Sequence, residues 1–539
     1  MGWLQASLII ICTAITTVLA APAMPATNPT VTLDNGTFTG TTSNGVNKFL
    51  GIPFAQPPVG NLRFHLPQEL DPYQGAHSAT AFGPACPQQA VTPSLPAGLP
   101  QDVANEISNV IFSVIFPDSE DCLTLNVVTP SNAIQSANLP VVVWIYGGGF
   151  EVGSTSTYAL SLLSHFIQDN EISSFDGGVI VQRSVALGKP VIYVSMNYRV
   201  SGTSAFGFLA SQEVKDAGVG NLGLHDQRLA LLWVQKHISK FGGDPTKVTI
   251  WGESAGSISV ALQMLANDGN TEGLFRAAFM QSGSPTPIGD ITHGQPYYDD
   301  LVERTGCSGS PDTLACLRTV PYATLKDAMN KSPSIFAYQS LALAWQPRVD
   351  GNFLSDNPQN SCKKARVSRV YNKFILPNAT DEEIDRLLTL YPEDVTQGSP
   401  YDTGLLNAIT PQYKRTAALF GDLVFQAPRR FFLQQRSETQ DTWSFLSKRL
   451  KALPVLGSVH GSDLLNSYGL GELTDYLIRF ATNLDPNGGL SPQWPRYTTA
   501  SPQLLTFLDI PVPSTTITQD TYRADGIEFA TKLSLAYPL

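Results

Sequence analysis

Five short apolar runs, Val141 to Tyr146, Pro190 to Met196, Val248 to Trp251, Ala277 to Gln281 and Trp443 to Ser447, recur along the chain. Each has the length of a strand rather than a helix, and a run that is apolar on both faces suits a parallel sheet covered on both sides. Between the second and third, Leu231, Val234, Ile238 and Phe241 fall at helical spacing after Asp226, which is expected to cap the helix, while Gly242-Gly243 is expected to stop it. Strands alternating with helices predict an α/β architecture with a mostly parallel central sheet flanked by helices and reactive groups at the carboxyl ends of the strands. With 539 residues, 42% hydrophobic and 15% charged, the chain can bury a large core. Its 43 glycines and 39 prolines suit long ordered loops, so residues 21–539 are expected to form a single elaborated domain.

At the end of the strand Val248-Thr249-Ile250-Trp251 stands Gly252-Glu253-Ser254-Ala255-Gly256, followed by a helical stretch from Ala255 to Leu265. The bare Gly-x-Ser-x-Gly pattern is weak, since three fixed positions would arise by chance about once in four chains of this length. Its strand and helix flanks are what give it meaning. A serine hydroxyl is a poor nucleophile unless held exposed beside a base, and a sharp strand-to-helix turn does this where side chains in place of the glycines would clash. The helix amino terminus behind it favours developing negative charge. Ser254 is therefore the candidate nucleophile. A second glycine cluster, Tyr146-Gly147-Gly148-Gly149-Phe150, directly follows an earlier strand, and glycines let backbone N–H groups approach a reacting oxygen.

A nucleophile on such an elbow is followed in the chain by its acid and then its histidine. Of the seven histidines only His293 and His460 follow Ser254. His293 leaves too little chain for an intervening strand bearing the acid. His460 lies in Gly457-Ser458-Val459-His460-Gly461-Ser462-Asp463, a loop after the last apolar run, and is the expected general base.

The amino-terminal stretch centred on Leu8-Ile9-Ile10-Ile11 ends in Val18-Leu19-Ala20 before Ala21-Pro22, so residues 1–20 are expected to be a removed signal peptide and the product extracellular. No later apolar run has the length of a transmembrane helix. Export agrees with the sequons at Asn35 and Asn378, a further one at Asn330 being weakened by Pro333. Export also favours disulfides. Of six cysteines Cys12 leaves with the signal; Cys307 and Cys316 flank a short turn that is cheap to close, and Cys86 with Cys122 would then fence a long loop, leaving Cys362 over. Spacing alone leaves that connectivity open.

Charge narrows the partners. The balance of 34 basic against 45 acidic side chains, net -11, repels a phosphate backbone, which argues against nucleic acid, and it disfavours anionic membranes. Any contact with a lipid–water interface would be apolar. Neither clustered histidine ligands nor a phosphate loop accompanies the strand ends, so no metal or cofactor is expected. No particular oligomeric state is implied.

Four further stretches carry a resemblance: Phe49-Leu50-Gly51-Ile52-Pro53-Phe54-Ala55, Pro57-Pro58-Val59-Gly60-Asn61-Leu62-Arg63-Phe64, Glu120-Asp121-Cys122-Leu123-Thr124-Leu125-Asn126-Val127 and Phe241 to Ser257. With these the chain resembles the fungal lipases and sterol or carotenoid-ester esterases of the type-B carboxylesterase family, which are cholinesterase-related α/β-hydrolases. The resemblance runs nearly the whole length. It implies hydrolysis of lipid carboxylic esters through an acyl-enzyme, an oxyanion hole built from the N–H groups of Gly148, Gly149 and Ala255, and the pairings Cys86–Cys122 and Cys307–Cys316. It also implies a lid in the loop between the first pair, where Val103, Ile107, Val110, Ile111 and Val114 recur at helical spacing.

One departure stands out. Relatives carry, after a stretch like Trp345-Gln346-Pro347-Arg348-Val349-Asp350-Gly351, a strand and a glycine-rich loop presenting a glutamate to the histidine. Here Ser361-Cys362-Lys363-Lys364-Ala365-Arg366-Val367-Ser368-Arg369-Val370 runs straight toward Phe374, locally basic in an acidic chain and containing the leftover cysteine. No catalytic acid can be assigned, and residues 361–373 read as a deletion or a misread gene segment. Asp381, Glu382 and Glu383 sit where a helix should begin and read as first-turn carboxylates, while Asp350 precedes a turn glycine and takes no role. The alternative expectation is a catalytically impaired or non-catalytic cholinesterase-like protein, against which the intact Ser254, His460 and triple glycine argue.

Overall fold

The structure, a computed structural model, describes residues 28–89, 118–156, 177–200, 206–335, 343–361, 380–408, 412–468, 471–509 and 514–538. The signal stretch with Cys12, the amphipathic segment Val103 to Val114, Cys362 with its basic junction, and Asn378 lie outside the described residues.

Seven strands make the central sheet: β1 (Thr41–Ser43), β2 (Val46–Pro53), β3 (Thr124–Pro130), β4 (Leu139–Ile145), β5 (Ile192–Met196), β6 (Gly243–Glu253) and β7 (Ala277–Gln281), in the order β7-β6-β4-β5-β3-β2-β1. The pairs β7–β6, β6–β4 and β4–β5 are parallel. The pairs β5–β3, β3–β2 and β2–β1 are antiparallel. The sheet is thus mixed, not mostly parallel as expected. The reason is local at one end: Asn44-Gly45, with φ of 48° and 77°, closes a two-residue hairpin between β1 and β2, a turn that needs left-handed dihedrals at both positions. At the other end Val141, Val142, Val143, Ile192, Val194 and Ile250 are fully buried, so the expected two-faced apolar strands surround the nucleophile strand β6.

The helix α1 (Leu222–His237) starts earlier than expected, capped at Asn221, and Asp226 lies within it rather than at its end. A short 3₁₀ turn, Ile238–Phe241, then stops at Gly242 in the left-handed region, as expected. Burial explains the difference at Asp226. Its carboxylate accepts from Nε and Nη2 of Arg199 at 2.8 and 2.7 Å and from the Arg199 N–H at 2.9 Å, so its charge is paired in the interior and is not available to a helix end. A comparable tie joins two of the quoted stretches: Arg63 grips Glu120 at 2.6 and 2.8 Å and also donates to the Val320 carbonyl. Two disulfides stand beside it, Cys86–Cys122 with Cα atoms 5.0 Å apart and Cys307–Cys316 with 5.7 Å. Asn35 is exposed at the start of the strand Asn35–Thr39, accessible to a glycan.

The helix α2 (Ala255–Gly269) keeps helical dihedrals up to Leu265, matching the expected span, and α3 (Asp381–Leu390) opens on a capping box in which the Thr380 hydroxyl accepts from the Glu383 N–H and the Glu383 carboxylate accepts from the Thr380 N–H. Asp381, Glu382 and Glu383 occupy its first turn, as expected. The last apolar run departs more seriously from expectation. Only β8 (Phe445–Ser447) forms there, partly exposed, and it pairs in parallel with β9 (Gln503–Phe507) of a separate sheet that β10 (Thr515–Gln519) completes. Between β7 and β8 the described chain supplies helices and isolated bridges but no strand, so nothing extends the central sheet that far. Instead α4 (Glu472–Asn483) spans the gap, with Phe480 touching Phe279 of β7 and Trp443 ahead of β8. Among the described residues no helix is long and apolar enough to cross a membrane.

Candidate active site

Ser254 joins β6 to α2 at φ 56° and ψ -127°, a left-hand-side conformation that a residue with a Cβ holds only under constraint. The constraint is visible. The Ser254 N–H donates to the Gln281 carbonyl at 3.0 Å, its own carbonyl accepts from Ile258 at 2.9 Å, and the glycines on either side have no room for a side chain. A Cβ on Gly252 would stand 2.4 Å from the Gly256 backbone, and one on Gly256 would stand 2.0 Å from the Ile145 carbonyl oxygen. The elbow is thus clamped against the end of β4.

The base arrives from far along the chain. His460 Nε2 lies 2.8 Å from Ser254 Oγ, across 206 positions of sequence. Phe425, on the short π-helical turn Asp422–Gln426, stacks on the imidazole with centroids 4.5 Å apart and planes 26° apart. Burial lowers the imidazole below its ordinary 6.5, toward about 4, and 39% of the side chain still meets solvent, which limits the drop. His293 sits apart, in the turn Ile291–Gly294.

The triple glycine abuts the nucleophile. A Cβ on Gly147 would approach Ser254 Cβ to 2.8 Å, and Gly148 and Gly149 adopt φ of 110° and 64°. Within the described residues nothing accepts from the N–H groups of Gly148 and Gly149, and Ala255 N–H is the free first donor of α2. Behind this loop lies Glu151, fully buried, with Oε2 accepting from the Ile335 N–H at 2.8 Å. Burial raises its carboxyl to about 8 and the Ile335 bond only partly opposes this, so at neutral pH it is an uncharged brace. Sequence reasoning passed over it.

Glu253, the middle residue of the elbow motif, was passed over too. Its Oε1 lies 3.3 Å from His460 Nε2 and makes no hydrogen bond. Burial, and secondarily the nearby Asp463, push its carboxyl well above the ordinary range, which favours its protonated form. Asp463 is itself raised by burial and accepts from Gln281 Nε2 at 2.9 Å, while Gln281 Oε1 accepts from Trp251 Nε1 at 2.6 Å. These two carboxyls face the Nε2 side of the ring or the strand beneath it. No described carboxylate accepts from Nδ1, and residues 362–379 contain no Asp or Glu at all. The acid position expected between Ser254 and His460 is thus not filled from the one long undescribed stretch between them. Among the described residues no cluster of three His, Cys, Asp or Glu is placed to hold a metal ion.

The geometry is that of a serine with an activated base and free amides beside it, which suits acyl transfer. Comparison with known proteins agrees with it. A sequence profile described as Carboxylesterase family matches residues 27–407. A protein named Lipase 4 from Diutina rugosa is 41% identical over 554 aligned positions, covering 95% of this chain and 97% of its own length. One named Secreted triacylglycerol lipase LIP1 from Gibberella zeae is 36% identical, with coverage of 94% and 92%. Among solved structures, EstA from Aspergillus niger superposes with a TM-score of 0.75 at 26% identity, covering 94% of this chain and 98% of that one.

Proposed function

The chain belongs to the carboxylesterase family, has the α/β-hydrolase fold and is a carboxylic ester hydrolase, and from that premise we propose that it is an exported esterase of lipids working through an acyl-serine at Ser254. The single observation that carries this reading is the 2.8 Å approach of His460 Nε2 to Ser254 Oγ. In the reaction Ser254 Oγ attacks the ester carbonyl carbon while Nε2 takes its proton. The carbonyl oxygen becomes an alkoxide and accepts from the N–H groups of Gly148, Gly149 and Ala255. Collapse expels the alcohol, which leaves with the proton from Nε2. Water then repeats the sequence on the acyl-serine, delivering the carboxylic acid and restoring Ser254.

Among the described residues no carboxylate stands at Nδ1 of His460 to hold the imidazolium, and losing that partner costs triad enzymes about 10⁴ in turnover, or about 5.4 kcal/mol of transition-state stabilisation. Turnover is therefore low. Triacylglycerols are the first substrate class to test, because a relative bears that name, with sterol and carotenoid esters next. A lipid surface suits Leu405 and Leu406, which are 72% and 71% exposed. The Lys414 ammonium pins the Thr403 hydroxyl and Gly404 carbonyl of that loop at 2.8 Å each, and Asn407 Oδ1 accepts from Val455 N–H in the run leading to His460. Export with loss of residues 1–20, a single domain over 21–539 and glycans on Asn35 and Asn378 complete the proposal, and the word "secreted" in a relative's name supports the first.

The test is stoichiometric labelling of Ser254 by an organophosphate, with ester turnover measured alongside against Ser254→Ala. Labelling plus turnover above that background is expected; no labelling of the folded protein refutes the reading. The unfilled acid position favours a second reading, a catalytically impaired or non-catalytic protein. Labelling without turnover would select it.

A further inference from the structure

His460 presents an unused donor. With Nε2 facing the Ser254 hydroxyl as acceptor, Nδ1 carries the ring proton, and no described carboxylate, carbonyl or hydroxyl accepts from it. The ring is stacked on Phe425 and 39% of the side chain is accessible, so solvent-borne molecules reach it. Two residues before it, Ser458 Oγ is also buried without a partner. The nearest carboxyl, Glu253, approaches the ring on its Nε2 side at 3.3 Å, so among the described residues no carboxylate occupies the Nδ1 side.

We propose that the space beside His460 Nδ1 binds a small free carboxylate, which supplies the negative charge that none of the described residues places there. The inference rests on the acyl-serine reading above. The anion accepts the Nδ1–H hydrogen bond, stabilises the imidazolium formed when Ser254 loses its proton, and leaves unchanged. In the resting enzyme it meets only a neutral N–H in a protein of net charge -11, so it binds weakly. In the transition state it meets a full positive charge at hydrogen-bond range. The gain therefore falls on kcat and not on KM. Ester hydrolysis itself releases a carboxylic acid that is ionised at neutral pH, so the enzyme produces a candidate activator.

The experiment measures p-nitrophenyl butyrate turnover at pH 7.5 (about the range where the base is neutral) in sodium formate against sodium chloride at equal ionic strength. Formate is expected to raise kcat about tenfold or more, saturably and with KM unchanged, which recovers part of the roughly 10⁴ deficit. Acetate should act more weakly as the anion grows. A second arm uses a long-chain ester: progress curves should accelerate as product accumulates, and serum albumin, which sequesters fatty acid, should abolish the acceleration without affecting the formate response. His460→Ala should not respond to formate. Equal kcat in formate and chloride, or full triad-level turnover without any carboxylate, overturns the proposal. Organophosphate labelling of Ser254 separates the two failures: if labelling and basal turnover stand while formate does nothing, only this inference falls; if neither occurs, the acyl-serine reading falls and this one with it.

Discussion

Phe425→Ala tests how the imidazole is held. In a complete triad a carboxylate fixes the ring through Nδ1, whereas here the ring plane is set by the stack with Phe425, centroids 4.5 Å apart and 26° from coplanar, and by the contact with Ser254. Such aromatic pairs contribute about 0.5 to 1.5 kcal/mol beyond their buried area. The attraction grows when the ring becomes an imidazolium over an aromatic face, which happens only in the transition state. If all of it is spent on the reacting geometry, removal slows acylation by about 2- to 13-fold with little change in KM. The assay is the pre-steady-state burst with p-nitrophenyl butyrate, with organophosphate labelling as a second readout that should slow by a similar factor. Phe425→Leu fills most of the apolar space without a ring face and should track alanine, while Phe425→Tyr should track the natural protein. A folded Phe425→Ala enzyme with an unchanged burst rate would refute the idea that stacking substitutes for the acid as the orienting contact.

Four other outcomes are expected. Because burial favours the protonated form of Glu253, Glu253→Gln, an amide of the same shape, should change kcat by no more than about threefold; a loss near the 10⁴ of a missing triad acid would mean Glu253 works ionised. Because burial lowers His460 from 6.5 toward about 4, kcat/KM should hold down to pH values below the ordinary histidine range, read from a pH–rate profile; an acid limb at 6.5 or above would contradict this. The sign for stability follows from the same shift. The folded state binds fewer protons than the unfolded one between the two values, so the contribution of His460 is present above 6.5 and is lost as pH falls through that interval, which thermal melts across pH can follow. Finally, Leu405→Ser with Leu406→Ser should lower hydrolysis of emulsified triacylglycerol while leaving a dissolved ester unaffected, and equal losses on both would remove the interfacial role assigned to that loop.

The elbow was legible because its constraint is backbone geometry written in residue type: two glycines that cannot carry a Cβ, on strand and helix flanks whose periodicities differ. The triple glycine was legible for the same reason, and His460 by chain order. What escaped notice depends on burial that no local pattern encodes. Nothing local to Glu253 signals that the fold buries its carboxyl beside Asp463, and nothing local to Glu151 signals the burial that raises its carboxyl. Phe425 carries no signal at all, since its role is set by where a π-helical turn meets a loop 35 positions later. Asp226 shows the opposite error. A good capping residue at a reasonable position was consumed by Arg199, a partner that only the tertiary structure supplies. The strand β8 was found, but its membership of a second sheet was not, because pairing partners do not appear in a run's own composition.

That second sheet has a mechanical meaning. The nucleophile is mounted on the central sheet and the base on a loop that follows the second, and two ties couple them: α4, through which Phe480 touches Phe279 and Trp443, and the hydrogen bond from Gln281 to Asp463, three residues past the base. Registration of the two reacting atoms is then a property of those ties and not of either scaffold. A substitution that lets the halves slide by an ångström would silence the enzyme while each half stayed intact, so loss of activity and loss of fold become separable events in this protein.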